Sequence, residues 1–160
     1  MKLTNKHIYK QNIDAIYASC TNENFVKSKM KALGARNIEV TIHKKAEITT
    51  VEITREIPVE VPNTLKSLIK PWIKMTQTEV WKGAASGPYY CNIEIKLQNI
   101  PLNIQGQMKL AAHEDGTAVA AITEVNCTIP FIGKALTNFI GDTSKEAIEK
   151  EFAYIGNHVQ

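Results

Sequence analysis

Apolar and polar residues alternate along three consecutive segments in the second half of the chain. The segments run from Tyr89 to Leu97, from Leu102 to Leu110 and from Val119 to Cys127, with turn-forming residues between them. Strict alternation of this kind is typical of β-strands that bury one face. The pattern therefore predicts an antiparallel ladder of three strands joined by two tight turns.

The lengths of the two turns predict how these strands pair. The first turn places Ile93 opposite Gly106, and the second places Gly106 opposite Thr123. Both registers put apolar or small side chains on one common face, which we expect to be buried. The smallest residues of this face, Gly106 and Ala121, lie near its middle, where we expect a cavity to open. The face comprises Tyr89, Cys91, Ile93, Ile104, Gly106, Met108, Ala121, Thr123 and Val125.

Gly106 itself has two interpretations. A glycine in the middle of a strand is typical of a bend or a bulge in a curved sheet. The missing side chain would also leave room for a ligand. The sequence keeps both interpretations open.

Weaker patterns predict the remaining elements. Residues 2–12 form a first strand, and two short helices follow at residues 14–19 and 24–33. A long helix covers residues 131–159, and its apolar stripe is interrupted only at Ser144. Three further strands and one short helix complete the prediction, at residues 38–43, 46–55 and 75–81 for the strands and 65–69 for the helix. These elements indicate an α+β fold in which a curved sheet buries one face against one long helix.

Composition and charge narrow the class of protein. The 160 residues are enough for a single domain, 1–160, with a sizeable core. The net charge of +3, without a basic run, argues against a nucleic-acid partner. No stretch approaches the roughly 18 apolar residues of a membrane-spanning helix. Three cysteines, Cys20, Cys91 and Cys127, indicate no disulfide framework, so we expect a reducing cytoplasmic location.

The sequence contains no motif for catalysis or for a cofactor. Its four histidines are scattered and lack the spacing of metal ligands. It has no nucleophile elbow, no phosphate-binding glycine loop and no paired carboxylates. We therefore expect no catalytic residue, no metal and no cofactor.

Glu79 is the candidate polar anchor for a ligand. Glu79 lies on the same side of its predicted strand as Gln77 and Trp81. The loop at residues 83–88 does not fix whether that side faces inward. Facing inward, its carboxyl group would have a raised pKa and could act as acid, base or anchor. Facing outward, it would lie on a solvated surface with Trp81 at the sheet edge.

Residues 62–74 combine apolar side chains and a tryptophan with three lysines. A basic amphipathic segment of this kind could make peripheral contact with an anionic membrane. The same pattern is typical of a lid packed over one end of a barrel. Both interpretations stay open from the sequence.

Motifs spread in order along the whole chain carry a family resemblance. They are His7-Ile8-Tyr9, the run Ile16 to Asn22, Phe25, Ala32 to Ala35, Arg55 with Pro58, Thr76 to Trp81, Gly106, and Ile129 to Lys134. With these motifs the chain resembles the helix-grip superfamily of START and birch-pollen-allergen-like proteins (SRPBCC, polyketide cyclase-like). Within the superfamily it is most similar to an uncharacterised bacterial family of unknown function. That family favours an acidic residue four positions after Gly133, where this chain has Thr137.

The resemblance implies a curved antiparallel sheet of six to seven strands wrapped around the C-terminal helix, with two short helices after the first strand. It also implies a cavity for lipids, sterols, polyketides or other hydrophobic molecules. We therefore expect non-catalytic binding, transport or sensing of a hydrophobic small molecule or lipid. Leu136 and Ile140 of the helix would join the sheet face as cavity lining, with Thr123, Glu79 and Tyr89 as polar anchors. A cyclase- or hydratase-like enzyme and a ligand-free structural or interaction domain remain alternatives, and the sequence indicates neither the ligand nor an oligomeric state.

Overall fold

One antiparallel sheet and one long helix dominate the fold. A computed structural model describes residues 1–160. Its strands are β1 (Lys2–Tyr9), β2 (Arg36–Lys45), β3 (Ile48–Pro58), β4 (Trp72–Lys82), β5 (Tyr89–Leu97), β6 (Asn103–His113) and β7 (Gly116–Asn126). Its helices are α1 (Ile13–Cys20), α2 (Glu23–Ala32) and α3 (Gly133–His158), with a 3-10 turn at Asn63–Leu65. The predicted α+β helix-grip architecture is confirmed.

The seven strands form a single sheet in the order β1-β7-β6-β5-β4-β3-β2, and every neighbouring pair is antiparallel. Strands β2 to β7 follow each other as a meander, and β1 pairs with β7 alone. The predicted register is confirmed, since Ile93 lies opposite Gly106 and Gly106 lies opposite Thr123. A slip by one residue would turn the apolar face to solvent, which is why the pattern specifies the register so strongly.

Polar caps fix the two short helices between β1 and β2. The Asn12 side chain accepts a hydrogen bond from the Asp14 backbone N–H, and the Asn22 side chain accepts one from Phe25. Each cap satisfies an otherwise unpaired N–H and contributes about 1 kcal/mol. Gly34 follows α2 with a φ of +94°, a left-handed conformation that a glycine adopts without strain. The two helices therefore begin and end close to where the sequence predicts.

Some predicted boundaries differ from the structure. Residues 65–69 do not form an α-helix, and only the 3-10 turn precedes β4. Strand β4 begins earlier than predicted, because Trp72 pairs with Pro58 across the β3–β4 ladder. Helix α3 begins at Gly133 because Phe131 has a φ of +68°, which no right-handed helix accommodates.

The interior contains two apolar clusters. The first, called here the helix-pair cluster, has 18 buried residues and includes Ile16 of α1, Val26 of α2 and Trp81 of β4. The second, called here the lid cluster, has 11 buried residues and includes Leu65 and Leu136. Burial of each large apolar side chain contributes about 1.5–3 kcal/mol. Helix α3 spans both clusters, since Phe152 lies in the helix-pair cluster and Leu136 in the lid cluster.

None of the helices is both long enough and apolar enough to cross a lipid bilayer.

Candidate functional site

A cavity of about 590 Å³ lies between the two clusters. The sheet lines one side of it with Ile93, Gly106 and Thr123, among other residues. Helix α3 lines the opposite side with Ser144 and Ala147. The larger Phe139, Ile140 and Ile148 of α3 also line it. Ser144, where the apolar stripe of α3 is interrupted, thus lies at the cavity.

The structure divides the eleven predicted lining residues into three groups. Ile93, Ile104, Gly106, Thr123 and Ile140 line the cavity. Tyr89, Cys91 and Ala121 lie in the helix-pair cluster, and Met108 packs against it. Val125 and Leu136 lie in the lid cluster. The last six residues share the buried face but are not among the residues that line this cavity, and a part for them in a ligand site stays a prediction. Helices α1 and α2 fill one end of the face, and the segment before β4 fills the other.

The polar group of Tyr89 already has a hydrogen-bond partner within the protein. Its hydroxyl donates a hydrogen bond to Asp14 Oδ1 at 2.6 Å, and its ring stacks on Tyr17 with centroids 3.9 Å apart. Burial and the contact with Asp14 raise the pKa of Tyr89. Tyr89 therefore anchors α1 to the sheet, and it is not among the residues that line the cavity.

Gly106 lines the cavity within an unbroken ladder. The pairing on both sides of it continues without a register shift, so no bulge occurs there. A Cβ atom at this position would lie 3.4 Å from Cβ of Ile93, close to ordinary van der Waals contact. The continuous pairing excludes a bulge at Gly106, whereas the bend stays a prediction, and Gly106 lines the cavity.

Gln77, Glu79 and Trp81 all face the interior. Their exposed fractions are 5%, 7% and 0%, so the interpretation of this row as a solvated outer face is wrong. The reason is the β4–β5 register, which places Glu79 opposite Ile93 and hence on the buried face. Trp81 lies in the helix-pair cluster and is not at a sheet edge.

A chain of hydrogen bonds connects this row to β3. Arg55 donates from Nη2 to Gln77 Oε1 at 3.0 Å, and Gln77 donates from Nε2 to Glu79 Oε2 at 2.6 Å. Trp81 donates from Nε1 to the other oxygen of Glu79 at 3.0 Å. Arg55 and Gln77 line the cavity, whereas Glu79 does not. Glu79 consequently holds Gln77 in place from behind the cavity wall.

Two charged groups from the helices approach this chain. Lys29 Nζ of α2 lies 3.5 Å from Glu151 Oε2 of α3. Burial lowers the pKa of Lys29, but the nearby carboxylates, Glu151 foremost, outweigh burial and the net pKa is raised. Burial raises the pKa of Glu79, opposed by Lys29 and by the Trp81 hydrogen bond. Burial lowers the pKa of Arg55, yet a guanidinium remains charged at neutral pH.

Arg55 carries the one donor of this network that the protein leaves without a partner. Its Nη1 is buried and makes no hydrogen bond within the chain. A buried, unsatisfied donor costs about 1–3 kcal/mol, and more when it is charged. Two other buried side-chain atoms also have no partner, on Asn5 and Gln11, but those residues do not line the cavity. Arg55 was not predicted as a site residue, although it lies on the same side of β3 as the buried Val51 and Ile53.

The segment before β4 closes the cavity at one end. Leu65, Ile69 and Ile73 are buried in the lid cluster. Trp72 lies beneath the guanidinium of Arg36, 3.7 Å from the ring centre. The apolar side chains of residues 62–74 thus point into the protein, which favours the lid interpretation over membrane contact.

The histidines have local structural contacts. His7 packs its ring against Tyr9, with centroids 4.7 Å apart. At the β6–β7 turn, His113, Glu114 and Asp115 are exposed, and their ligand atoms lie within 4.8 Å of one another. The His113 ring accepts a hydrogen bond from the Asp115 backbone N–H at 3.0 Å, a contact that stabilises the turn.

Solved structures share this architecture at low sequence identity. The protein TTHA0849 from Thermus thermophilus has a TM-score of 0.67 at 12% identity, with 99% of this chain and 97% of that chain covered. The di-domain ARO/CYC protein StfQ of the steffimycin biosynthetic pathway has a TM-score of 0.62 at 8% identity, and the match covers 99% of this chain and 50% of StfQ. A norcoclaurine synthase point mutant from Thalictrum flavum, in complex with a transition-state analogue, has a TM-score of 0.59 at 13% identity, covering 99% and 93%. These similarities show the helix-grip fold.

No curated protein matches this sequence. A protein-family model described as protein of unknown function (DUF2505) matches residues 4–157. The match covers nearly every element of the fold, from β1 to the end of α3. The chain belongs to the DUF2505 family.

Proposed function

We propose that this protein, as a single domain of residues 1–160, binds a small hydrophobic or lipid-like molecule without covalent chemistry, in transport or sensing. The observation that carries the proposal is the cavity of about 590 Å³ between two well-packed clusters. Ligand pockets in proteins typically measure about 300–1,000 Å³ and are lined mainly by apolar side chains. A ligand-free structural domain would have a filled interior at this position.

The lining suits a molecule that is mostly apolar. Ile93, Ile95 and Ile140 supply apolar walls, and burial against them contributes about 25 cal/mol per Å². Arg55 and Gln77 on the sheet belong to one hydrogen-bonded chain, and further polar lining residues lie on α3, including Ser144, Glu146 and Glu151. We expect the apolar walls to provide affinity and the polar groups to orient the ligand.

The cyclase- or hydratase-like alternative needs an ionisable group that can move a proton at the cavity surface. Glu79 accepts two hydrogen bonds behind Gln77 and does not line the cavity. Glu151 lines the cavity but pairs with Lys29, and Glu146 lines it but pairs with Lys150. These pairings support binding in preference to turnover, whereas Glu60 is the exposed lining carboxylate that the enzyme alternative could use. The norcoclaurine synthase and StfQ similarities leave the enzyme as the alternative to test.

The decisive experiment is native mass spectrometry of the purified chain, followed by extraction and identification of molecules that co-purify. We expect a bound hydrophobic molecule, or uptake of one from a panel of lipids and apolar metabolites. A clean apo mass with no uptake from the panel would overturn the proposal. Turnover of a bound compound would favour the enzyme alternative.

The proposal includes a cytoplasmic location, supported by the odd number of cysteines, which are free thiols. Any peripheral membrane contact through residues 62–74 would have to use the exposed Lys66, Lys70 and Lys74, since the apolar side chains are buried. Co-sedimentation with anionic vesicles at low salt tests this point. No binding to such vesicles would exclude the membrane contact.

A further inference from the structure

Arg55 places a charged donor at the wall of an otherwise largely apolar cavity. Its side chain is 7% exposed, and Nη1 has no hydrogen-bond partner in the protein. We propose that the ligand is an apolar monocarboxylic acid whose carboxylate is bound by the Arg55 guanidinium. This inference rests on the proposed function and specifies its ligand class.

The guanidinium is held in place before any ligand arrives. Nη2 donates to Gln77, whose own amide donates to Glu79, and Glu79 is fixed by the Trp81 N–H. A planar fork with fixed donors matches the two oxygens of a carboxylate better than a single hydroxyl oxygen. Because Nη2 is held by Gln77, the Nη1 donors are left unpaired within the protein, on a residue that lines the cavity.

The charges around Arg55 leave it without a direct counter-ion. None of the ion pairs within 4.0 Å includes Arg55. The nearest helix carboxylate, Glu151, forms its ion pair with Lys29. Glu79 accepts hydrogen bonds from Gln77 and Trp81 and does not contact Arg55 directly. A ligand carboxylate would supply the direct counter-ion that Arg55 lacks.

We expect the ligand to be apolar beyond its acid group. Ile93, Ile95, Ile104 and Ile140 line the cavity and would contact an apolar body. The other charged lining residues are Glu60, Glu146, Lys150 and Glu151, and the three carboxylates among them disfavour a second acid group on the ligand. This arrangement selects molecules with one acid head and one apolar body.

The test compares dodecanoic acid with dodecanol on the full chain at neutral pH, below the micelle concentration, by isothermal titration calorimetry. We expect the acid to bind roughly tenfold to a hundredfold more tightly, the value of one charge-assisted hydrogen bond or bidentate pair. Arg55→Gln should remove the preference for the acid, so that acid and alcohol bind with similar affinity. Arg36→Gln is the matched control, because the chain has only two arginines and Arg36 lies at the surface against Glu56.

The outcomes separate the two proposals. Equal affinity for acid and alcohol in the natural chain would overturn the acid proposal and leave hydrophobic binding intact, as would an acid preference that survives Arg55→Gln. Binding of neither compound would overturn both proposals. If Arg55→Gln does not fold, the two arginine Nε–H signals in a ¹⁵N NMR spectrum decide: the acid should shift the Arg55 signal and leave Arg36 in place. An unmoved Arg55 signal would overturn the inference.

Discussion

The helix-pair cluster and the cavity occupy the same face of the same sheet, yet one is filled and the other is open. Strand β5 contributes Cys91 to the cluster and Ile93 to the cavity, only two residues apart. The difference comes from what lies opposite. Side chains of α1 and α2 pack over Cys91, whereas α3 presents the short side chain of Ser144 to the cavity. Alternation along a strand thus reports which face is buried, but the covering elements decide whether that face is packed or hollow.

The two regions also divide stability and binding between them. Close packing in the helix-pair cluster gains dispersion contacts and apolar burial. The cavity forfeits such contacts, and a buried cavity typically costs about 24 cal/mol per Å³ when it is created by truncation. Mutations in the cluster should therefore act on folding, and mutations at the cavity on ligand uptake.

The largest effect is expected from Trp81→Ala. Trp81 is fully buried, and its loss removes both its packing and the hydrogen bond to Glu79. We expect the free energy of unfolding to fall by about 3–5 kcal/mol, measured by urea denaturation. Tyr90→Ala on the outer face of β5 is the control, with an expected loss below about 1 kcal/mol. Similar losses in both variants would contradict the division between the two regions.

Filling the cavity from α3 should weaken ligand uptake and leave stability nearly unchanged, the opposite of what we expect for Trp81→Ala. Ser144→Phe places a ring in the cavity, so we expect uptake of hydrophobic compounds to fall about tenfold or more. Stability should stay within about 1 kcal/mol, because the ring enters existing space. Ala153→Phe adds the same ring at an exposed position of α3 and should leave uptake unchanged. Unchanged uptake in Ser144→Phe would place the ligand elsewhere.

Removal of the α2 cap tests how the helix pair closes its end. Asn22→Ala deletes the acceptor for the Phe25 N–H and should lower the free energy of unfolding by about 1 kcal/mol. Uptake should be unaffected while the protein remains folded. Asn24→Ala, exposed in the first turn of α2, serves as the control. A loss of uptake without a loss of stability would show that the helix pair acts on the cavity directly.

The smallest effect concerns pH. The pKa of Glu79 is raised in the folded state above its ordinary value of 4.5, so the folded chain keeps a proton that the unfolded chain has released. Stability contributed by this group is therefore present at low pH and is lost as pH rises above 4.5. Glu79→Gln should flatten the decline of unfolding free energy with pH. Glu52→Gln, outward-facing on β3, should keep the slope of the natural chain. A slope unchanged by Glu79→Gln would show that other groups produce it.

The sheet could be predicted because its register follows from alternation and turn length, and the pairing of Gly106 with Thr123 is confirmed. The extent of the cavity could not be predicted from the sequence. Alternation marks Tyr89 and Ile93 alike, and only the tertiary position of α1 separates them. The orientation of Glu79 depends on the path of the β4–β5 loop, which spacing alone does not define. Arg55 was missed because an inward charge in a strand is recognised only once its surroundings are known.

The pairing of β1 with β7 alone has a consequence for the order of folding. Lys2 lies opposite Glu124, so β1 is synthesised before its partner β7, and the other five strands come between them. Strands β2 to β7 can pair as successive hairpins, whereas the β1–β7 contact closes the longest loop and is the slow step on topological grounds. Until then β1 is an unpaired strand in a growing chain. The exposed Lys2 and Lys6 place charge along it, which discourages pairing with a neighbouring chain during synthesis.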